Sequence, residues 1–330
     1  MLNSSKRALI CGVGGQDGAY LAHLLLAKGY KVTGTSRDAM TASFSNLTAL
    51  GIRGQVGIVS MTIGDLGSVL SAVKSTEPDE IYNLAAQSSV GLSFMEPVET
   101  TQSIAMGTLY LLEAIRFVDR PIRLYSAGSS ECFGDAGAVP ATEETPFNPQ
   151  SPYAIAKVAA HHFVANYREA YELYACTGFL FNHESPFRPE RYVTKKIIHA
   201  ACRIANGSTK KLHLGNINIS RDWGFAEEYV EAMWLMLQQP RPEDYVIATG
   251  ETNTLQDFVA AAFEAVGLDW TQHVVTDPAL LRPSEIMVSR GNPAKAFDKL
   301  GWQAKNRMHE VIKLCVQAEQ KWLGKTEQVG

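Results

Sequence analysis

A tyrosine and a lysine four positions apart, Tyr153 and Lys157, are the residues best suited to proton chemistry. In a helix this spacing places both side chains on one face, one turn apart. A lysine ammonium near a phenol favours the phenolate, so Tyr153 can act as a base near neutral pH. Upstream, Ser129 can hydrogen-bond the same reacting oxygen. This trio is suited to moving the proton of a substrate hydroxyl.

A carboxylate two residues after Ser129 adds a second base, Glu131. In a locally extended chain, residues i and i+2 face the same side. A plain oxidation or reduction needs no second base, whereas an elimination must also remove a carbon-bound proton. The predicted catalytic set is therefore Ser129, Glu131, Tyr153 and Lys157.

Residues 6–38 could position this chemistry, because they read as strand, glycine turn, helix and second strand. The apolar run 8–13 suits a buried parallel strand. Gly12, Gly15 and Gly18 then allow a tight turn that a pyrophosphate can approach closely. Free N–H groups at the following helix start would bind phosphate. The segment predicts a dinucleotide site.

The end of the second strand should select the cofactor, and here it reads Arg37-Asp38. NAD sites tend to place an acidic residue there, whereas NADP sites place an arginine near the 2′-phosphate. Arg37 comes first and favours NADP, while Asp38 keeps NAD open as the weaker alternative.

Strand and helix patterns alternate onward and predict an α/β fold: a Rossmann-type, doubly wound parallel sheet. Asp65 follows the strand-like run 55–63, and adenine contact and capping of the next helix are both open readings. The strand 80–85 ends in small residues, where ligands bind in such sheets. A long helix is expected over 98–117.

The composition indicates a soluble enzyme of the cytoplasm. The 330 residues are 46% hydrophobic and carry a net charge of −4, which argues against a nucleic-acid partner. No apolar run is long enough for a membrane span, and no signal peptide precedes the first strand. The five cysteines are scattered without a CxxC spacing, so neither a disulfide framework nor a metal site is expected.

Beyond these patterns, the sequence resembles the extended short-chain dehydrogenase/reductases and, among them, the GDP-mannose 4,6-dehydratase family. The resemblance spans nearly the whole chain and rests on GVGGQDGAYLAHLLLAKGY, EIYNLAAQSSVGLSF, SSECFG, TPFNPQSPYAIAK, NHESPFR, RYVTKK, GNINISRDWGFAEEYVEAMWLMLQ and GNPAKA. The family has a Thr-x-Glu triplet where this chain has Ser129 and Glu131.

The resemblance implies conversion of GDP-mannose to GDP-4-keto-6-deoxymannose by an NADP-dependent lyase. C4 is oxidised, water is eliminated across C5 and C6, and the hydride returns to C6. The alternatives are a GDP-manno-heptose 4,6-dehydratase, an NADP-dependent nucleotide-sugar reductase or epimerase, and a non-catalytic NADP-binding protein.

The implied binding residues fall into two sets. The cofactor set is Gly12, Gly15, Gln16, Asp17, Gly18, Arg37, Asp65, Leu66, Ala85, Ala86, Gln87, Tyr153, Lys157 and Arg188. The substrate set is Ser88, Asn182, Val193, Lys196, Arg221, Arg282 and Glu285. We expect structural roles for His183 and Glu184, and Asp222 could cap the helix after it.

Two domains are expected: residues 1–180 for NADP, with later segments able to return to it, and 181–330, a smaller α/β domain for the nucleotide sugar. The tail 324–330 is expected to fray. The family places two arginines and a Ser/Asn-rich loop after the second strand, but this chain has Arg37-Asp38 and 39–45 instead. This difference argues against a tetramer bridged at the cofactor. By analogy with the family, a homodimer through helices 98–117 and 153–171 is expected, with a homotetramer as the alternative.

Overall fold

The computed structural model describes residues 5–326. Its centre is a parallel seven-stranded sheet in the order β11-β6-β5-β4-β1-β2-β3. The strand order reverses between β1 and β4, the point where a doubly wound sheet opens a crevice. The strands of this sheet are β1 Arg7–Cys11, β2 Lys31–Ser36, β3 Gly57–Ser60, β4 Glu80–Asn83, β5 Arg123–Ala127, β6 Ala175–Leu180 and β11 Tyr245–Ile247.

Helices cover the faces of this sheet and build much of the second half. They are α1 Gln16–Ala27, α2 Ser45–Ala49, α3 Leu66–Thr76, α4 Val90–Ser93, α5 Pro97–Thr101, α6 Gly107–Val118, α7 Pro152–Tyr171, α8 Val193–Ala205, α9 Ala226–Gln238, α10 Leu255–Glu264, α11 Ala294–Leu300 and α12 Met308–Thr326. None of the helices within residues 5–326 has the length and apolarity to cross a bilayer.

Three small two-stranded sheets lie outside the main one. They pair β7 Asn182–Glu184 with β10 Trp223–Phe225, β8 Leu212–Leu214 with β13 Val274–Thr276, and β9 Ser220–Arg221 with β12 Asn253–Thr254. A separate apolar core joins α8, α10 and α12. In contrast, β11 joins the large sheet and α9 packs against α1. Late segments of the chain thus return to the first half, and the boundary near residue 180 stays a prediction.

Several sequence expectations needed correction. The expected helix 98–117 contains a π-helical segment, Gln102–Met106, between α5 and α6. Its Ser103 hydroxyl bonds back to Glu99 O at 2.8 Å, a local competition with regular helix bonds. Strand β6 ends at Leu180, and β7 follows at once but pairs with β10 in a different sheet. Helix α12 extends to Thr326, and residues 327–330 of the tail expected to fray lie outside the described chain.

Asp222 does not cap α9, whose N-cap is Phe225. Its two carboxylate oxygens instead accept hydrogen bonds from the Thr249 and Gly250 N–H groups, at 2.9 and 2.8 Å. The carboxylate thereby fixes the loop that follows β11. Burial raises the pKa of Asp222 to about 6.

Candidate active site

One cavity of about 490 Å³ lies across the carboxyl ends of the central strands and reaches into the second half. It brings together most of the predicted residues from distant parts of the chain. Those in its lining are Gly12, Gly15, Gln16, Asp17, Gly18, Ala86, Ser88, Ser129, Glu131, Tyr153, Lys157, Asn182, Arg188, Val193, Lys196, Arg221, Arg282 and Glu285. Both predicted binding sets therefore share this cavity.

The glycine turn leaves the open space beside the backbone that a dinucleotide needs in order to bind. Gly12 has φ +83°, and a β-carbon on Gly18 would lie 2.4 Å from Gly12 O. Above the turn, a β-carbon on Gly15 would meet only Gly12 O, at 3.4 Å. No side chain caps α1 at Gly15, so backbone N–H groups at its start are available for an anion. These features fit the pyrophosphate of a nicotinamide dinucleotide.

The start of α7 fixes the tyrosine and the lysine. Ser151 caps the helix by accepting from Ala154 N at 3.1 Å, and Pro152 occupies its first turn. Tyr153 therefore sits at the helix entrance, one turn before Lys157. The Lys157 Nζ donates to Ala127 O at 2.5 Å and lies 5.7 Å from the centre of the Tyr153 ring.

Burial opposes the effect on the Tyr153 pKa that the sequence predicts from this lysine. Burial raises the pKa of Tyr153 above its ordinary value, against a smaller opposing effect of the Ser129 hydroxyl. Burial also lowers the pKa of Lys157 to about 8. Both shifts have the same cause, since a buried site disfavours the charged form of either group.

Ser129 and Glu131 follow the end of β5. The extended stretch expected between them is wrong: Ser130–Phe133 forms a 3₁₀ turn, and Ser129 caps it by accepting from Glu131 N at 3.3 Å. Both residues still line the cavity. Burial raises the pKa of Glu131, while Arg221 and Arg282 oppose that rise. A carboxylate with a raised pKa is a stronger base than one in water.

Two arginines of the cavity lining share one carboxylate. Arg221 Nη2 and Arg282 Nη1 lie 3.4 and 3.3 Å from the same Glu285 oxygen, Oε1. Arg221 is 5% exposed, and its Nη1 donates to Ser220 O at 2.9 Å. One carboxylate compensates two guanidinium groups only in part, so this part of the lining suits a diphosphate.

A hydrogen bond within the cavity lining joins the two halves of the chain. The hydroxyls of Ser88, after β4, and Tyr192, before α8, lie 2.7 Å apart. The Tyr192 ring also lies 4.5 Å from the Arg188 guanidinium and 5.0 Å from that of Arg191. The Lys196 Nζ donates to His213 O at 2.6 Å.

Five predicted cofactor residues lie outside the cavity lining: Arg37, Asp65, Leu66, Ala85 and Gln87. Asp65 caps α3 by accepting from Ser68 N at 2.6 Å, one of its two expected roles. The Gln87 amide nitrogen donates to Thr100 Oγ1 at 3.0 Å and so ties the loop after β4 to α5. Ala85 packs beneath Gly12.

Sequence reasoning missed several residues of the lining, among them Tyr192, Arg191, Asn216 and Trp223. Tyr192 and Arg191 adjoin the predicted Val193, and a helix start beside a binding residue was the available signal. Nothing local marks Asn216 or Trp223, which reach the cavity through tertiary packing. His183 and Glu184, expected to be structural, also border it.

Comparisons with known proteins give a family match over most of the chain. Residues 9–315 match the family model described as GDP-mannose 4,6 dehydratase. GDP-mannose 4,6 dehydratase 1 of Arabidopsis thaliana is 47% identical, with 98% of this chain and 92% of the relative covered.

Solved structures share the fold. The dTDP-glucose 4,6-dehydratase of Bacillus anthracis, in complex with NAD, has a TM-score of 0.82 at 23% identity and covers 96% of this chain and 97% of its own. RMD from Pseudomonas aeruginosa, complexed with NADPH, has a TM-score of 0.79 at 20% identity, covering 96% and 98%. At these identities the likeness establishes the Rossmann-type fold.

Proposed function

The chain belongs to the GDP-mannose 4,6-dehydratase family, and from this premise we propose that it is a lyase that converts GDP-mannose to GDP-4-keto-6-deoxymannose. The observation that carries the proposal is the position of Glu131, which shares one cavity with Ser129, Tyr153 and Lys157. A hydroxyl oxidation needs the last three residues, and the elimination needs Glu131 as well.

The proposed roles follow from the geometry. Tyr153 accepts the proton of the sugar 4-hydroxyl, and Ser129 hydrogen-bonds the same oxygen. The chemistry that a nicotinamide cofactor supplies in this cavity is hydride removal from C4 and hydride return at C6, with a positively charged ring in the oxidised form. Positive charge beside Tyr153, including that of Lys157, favours its ionisation against the effect of burial. Glu131 removes the C5 proton once the 4-ketone has acidified it.

The proposed cofactor is NADP, because the Arg37 guanidinium is available to a ligand, whereas the Asp38 carboxylate is already hydrogen-bonded within its own turn. Within residues 5–326 the exposed Arg37 makes no ion pair or hydrogen bond. Asp38 accepts hydrogen bonds from Met40 N, Thr41 N and Thr41 Oγ1, at 2.8, 3.1 and 2.6 Å. A carboxylate engaged in its own turn is a poor partner for a ribose 2′-hydroxyl, whereas a free guanidinium suits a 2′-phosphate.

The proposed substrate orientation places the diphosphate at Arg221 and Arg282 and the hexose at Glu131 and Tyr153. Both arginines lower the pKa of Glu131 electrostatically, which supports a diphosphate site close to the hexose site. Asn182, Val193 and Lys196 complete the proposed nucleotide end, and Ser88 the sugar end.

The proposed assembly is a homodimer through α5, α6 and α7. Val98 on α5 is 76% exposed and Ile155 on α7 is 57% exposed, an unusual amount of apolar surface for packed neighbouring helices. The proposed compartment is the cytoplasm, where the five buried free thiols stay reduced.

Incubation with GDP-mannose and substoichiometric NADP⁺, followed by mass spectrometry, tests this function. We expect complete conversion to a product lighter by one water, without NADPH accumulation. If GDP-mannose stayed unchanged while GDP-manno-heptose was converted, the substrate would be GDP-manno-heptose. Stoichiometric consumption of NADPH without loss of water would show that the protein is a reductase and not a lyase.

A further inference from the structure

Two stretches from opposite halves of the chain, Gln16-Asp17 and 183–185, meet in one hydrogen-bonded network beside the glycine turn. The His183 Nε2 lies 3.0 Å from Asp17 Oδ2, although the two residues are 166 positions apart. The Gln16 amide donates to Asp17 Oδ1 at 2.9 Å and to His183 O at 3.2 Å. Ser185 Oγ donates to Gln16 Oε1 at 2.8 Å. The start of α1 is therefore fastened to β7.

The hydrogen-bond partners of His183 require two ring protons. Its Nδ1 lies 2.7 Å from Phe181 O, and its Nε2 faces the Asp17 carboxylate. Both partners only accept, so both ring nitrogens must donate and the ring is an imidazolium. The ring is 9% exposed and stacks on Tyr229 at 4.7 Å. In agreement, the pKa of His183 is raised, chiefly by Asp17, against the effect of burial.

Charge in this network balances only when His183 is protonated. The groups around the ring are Asp17 from α1, Glu184 and Arg188 from β7 and the loop after it, and Tyr229 from α9. Arg188 Nε and Glu184 Oε2 form an ion pair at 2.7 Å. Arg188 and Lys157 also act electrostatically on Asp17, but the cationic group in direct contact with its carboxylate, at 3.0 Å, is His183. A neutral His183 would leave a net negative charge at the first turn of α1, beside the predicted phosphate site.

We propose that His183 is a positioning residue for the cofactor: its imidazolium holds and neutralises Asp17, so that the N–H groups at the start of α1 meet an anionic pyrophosphate without a repelling carboxylate. The inference rests on the proposed function, because it takes the glycine turn to be the cofactor site. It explains how the acidic residue Asp17 can lie beside a phosphate site, where an uncompensated carboxylate would repel the phosphate.

A charge-rescue experiment tests this role. NADPH affinity at pH 7 is measured by cofactor fluorescence for the wild type, His183→Gln, the double variant Asp17→Asn with His183→Gln, and His23→Gln. The control, His23, is an exposed histidine on the same helix α1. We expect His183→Gln to weaken binding about tenfold, as an uncompensated nearby charge would, and His23→Gln to leave it unchanged. The double variant should recover most of the loss, because it removes the charge that His183 balanced.

A spectroscopic measurement on the wild type needs no variant to fold. In a ¹⁵N-histidine NMR spectrum of the cofactor-free protein at pH 7, His183 should carry protons on both ring nitrogens. A neutral His183, unchanged NADPH affinity in His183→Gln, or a double variant no better than the single one would each overturn the positioning role. A wild type that binds neither NADPH nor NADH would instead overturn the proposed function.

Discussion

Glu131 is the side chain that separates an elimination from a simple redox reaction. It lines the cavity with Tyr153, and burial raises its pKa, so it combines access to the sugar with basicity. Arg221 and Arg282 oppose that rise and so favour the ionised carboxylate. These opposing effects suit a general base.

Glu131→Gln should abolish dehydration, lowering kcat by roughly 10²–10⁴-fold, because the amide cannot take the C5 proton. NADPH affinity should persist, since Glu131 lies outside the glycine turn. Turnover by mass spectrometry and NADPH fluorescence separate the two effects. Glu144→Gln, an exposed carboxylate in the loop before α7, is the control and should keep full activity. Loss of cofactor binding in Glu131→Gln would contradict this assignment.

Lys157 should set the alkaline limit of cofactor binding. Its pKa is lowered to about 8 by burial, so it loses its positive charge as the pH rises through that value. NADPH affinity should accordingly decrease above about pH 8 in a fluorescence titration series. Lys157→Arg, whose guanidinium stays charged, should lose that alkaline decrease. An identical decrease in both proteins would assign it to another group.

Among the secondary-structure elements, the glycine turn depends on close packing between the start of α1 and the end of β1. Gly18 marks the closest approach, where an added β-carbon would be 2.4 Å from Gly12 O and 2.7 Å from Val13 Cα. Both contacts are with backbone, which cannot rotate away. Any side chain at this position must displace α1 and the N–H groups at its start.

Gly18→Ala should therefore lower Tm and weaken NADPH binding together. Gly14→Ala is the matched control, because a β-carbon there would meet only the Phe44 ring, at 3.5 Å. Differential scanning fluorimetry and NADPH titration of both variants check this. A Gly18→Ala protein with unchanged Tm and affinity would show that the turn has more room than the structure indicates.

Local pattern was sufficient to predict the elements that carry the site. The spacing of Tyr153 and Lys157 predicts the helix that holds both side chains, although the cap at Ser151 emerged only from the structure. The alternating strands and helices likewise predict the parallel sheet. The π-helical segment and the 3₁₀ turn at Glu131 were not predicted, because such short departures from regular helix and strand have no distinct apolar spacing in the sequence.

What the sequence could not supply are contacts across great separations. The local sequence around Asp17 and His183 does not indicate that they interact, and only the fold brings His183 Nε2 to 3.0 Å from Asp17 Oδ2. Asp222 sits before a helix like a cap, yet binds the loop after β11. The direction of the Tyr153 pKa shift depends on how deeply the whole chain buries it, and spacing carries no information about that depth.

At the scale of the molecule, the exposed apolar residues on α5–α7 predict a dimer. Val98→Glu should place a charge in that interface and yield monomers, measured by light scattering coupled to size-exclusion chromatography. Phe297→Glu, on α11 and 56% exposed, is the control and should leave the assembly unchanged. A monomeric wild type, or a dimeric Val98→Glu protein, would contradict this interface.

Incubation of GDP-mannose deuterated at C4 with a substoichiometric amount of NADP⁺ tests the dehydratase function most directly. We predict a 4-keto-6-deoxy product that has lost one water and carries the deuterium at C6, because the hydride removed from C4 returns to C6 within the same cavity. A product without deuterium at C6, or one formed only with stoichiometric cofactor, would contradict it.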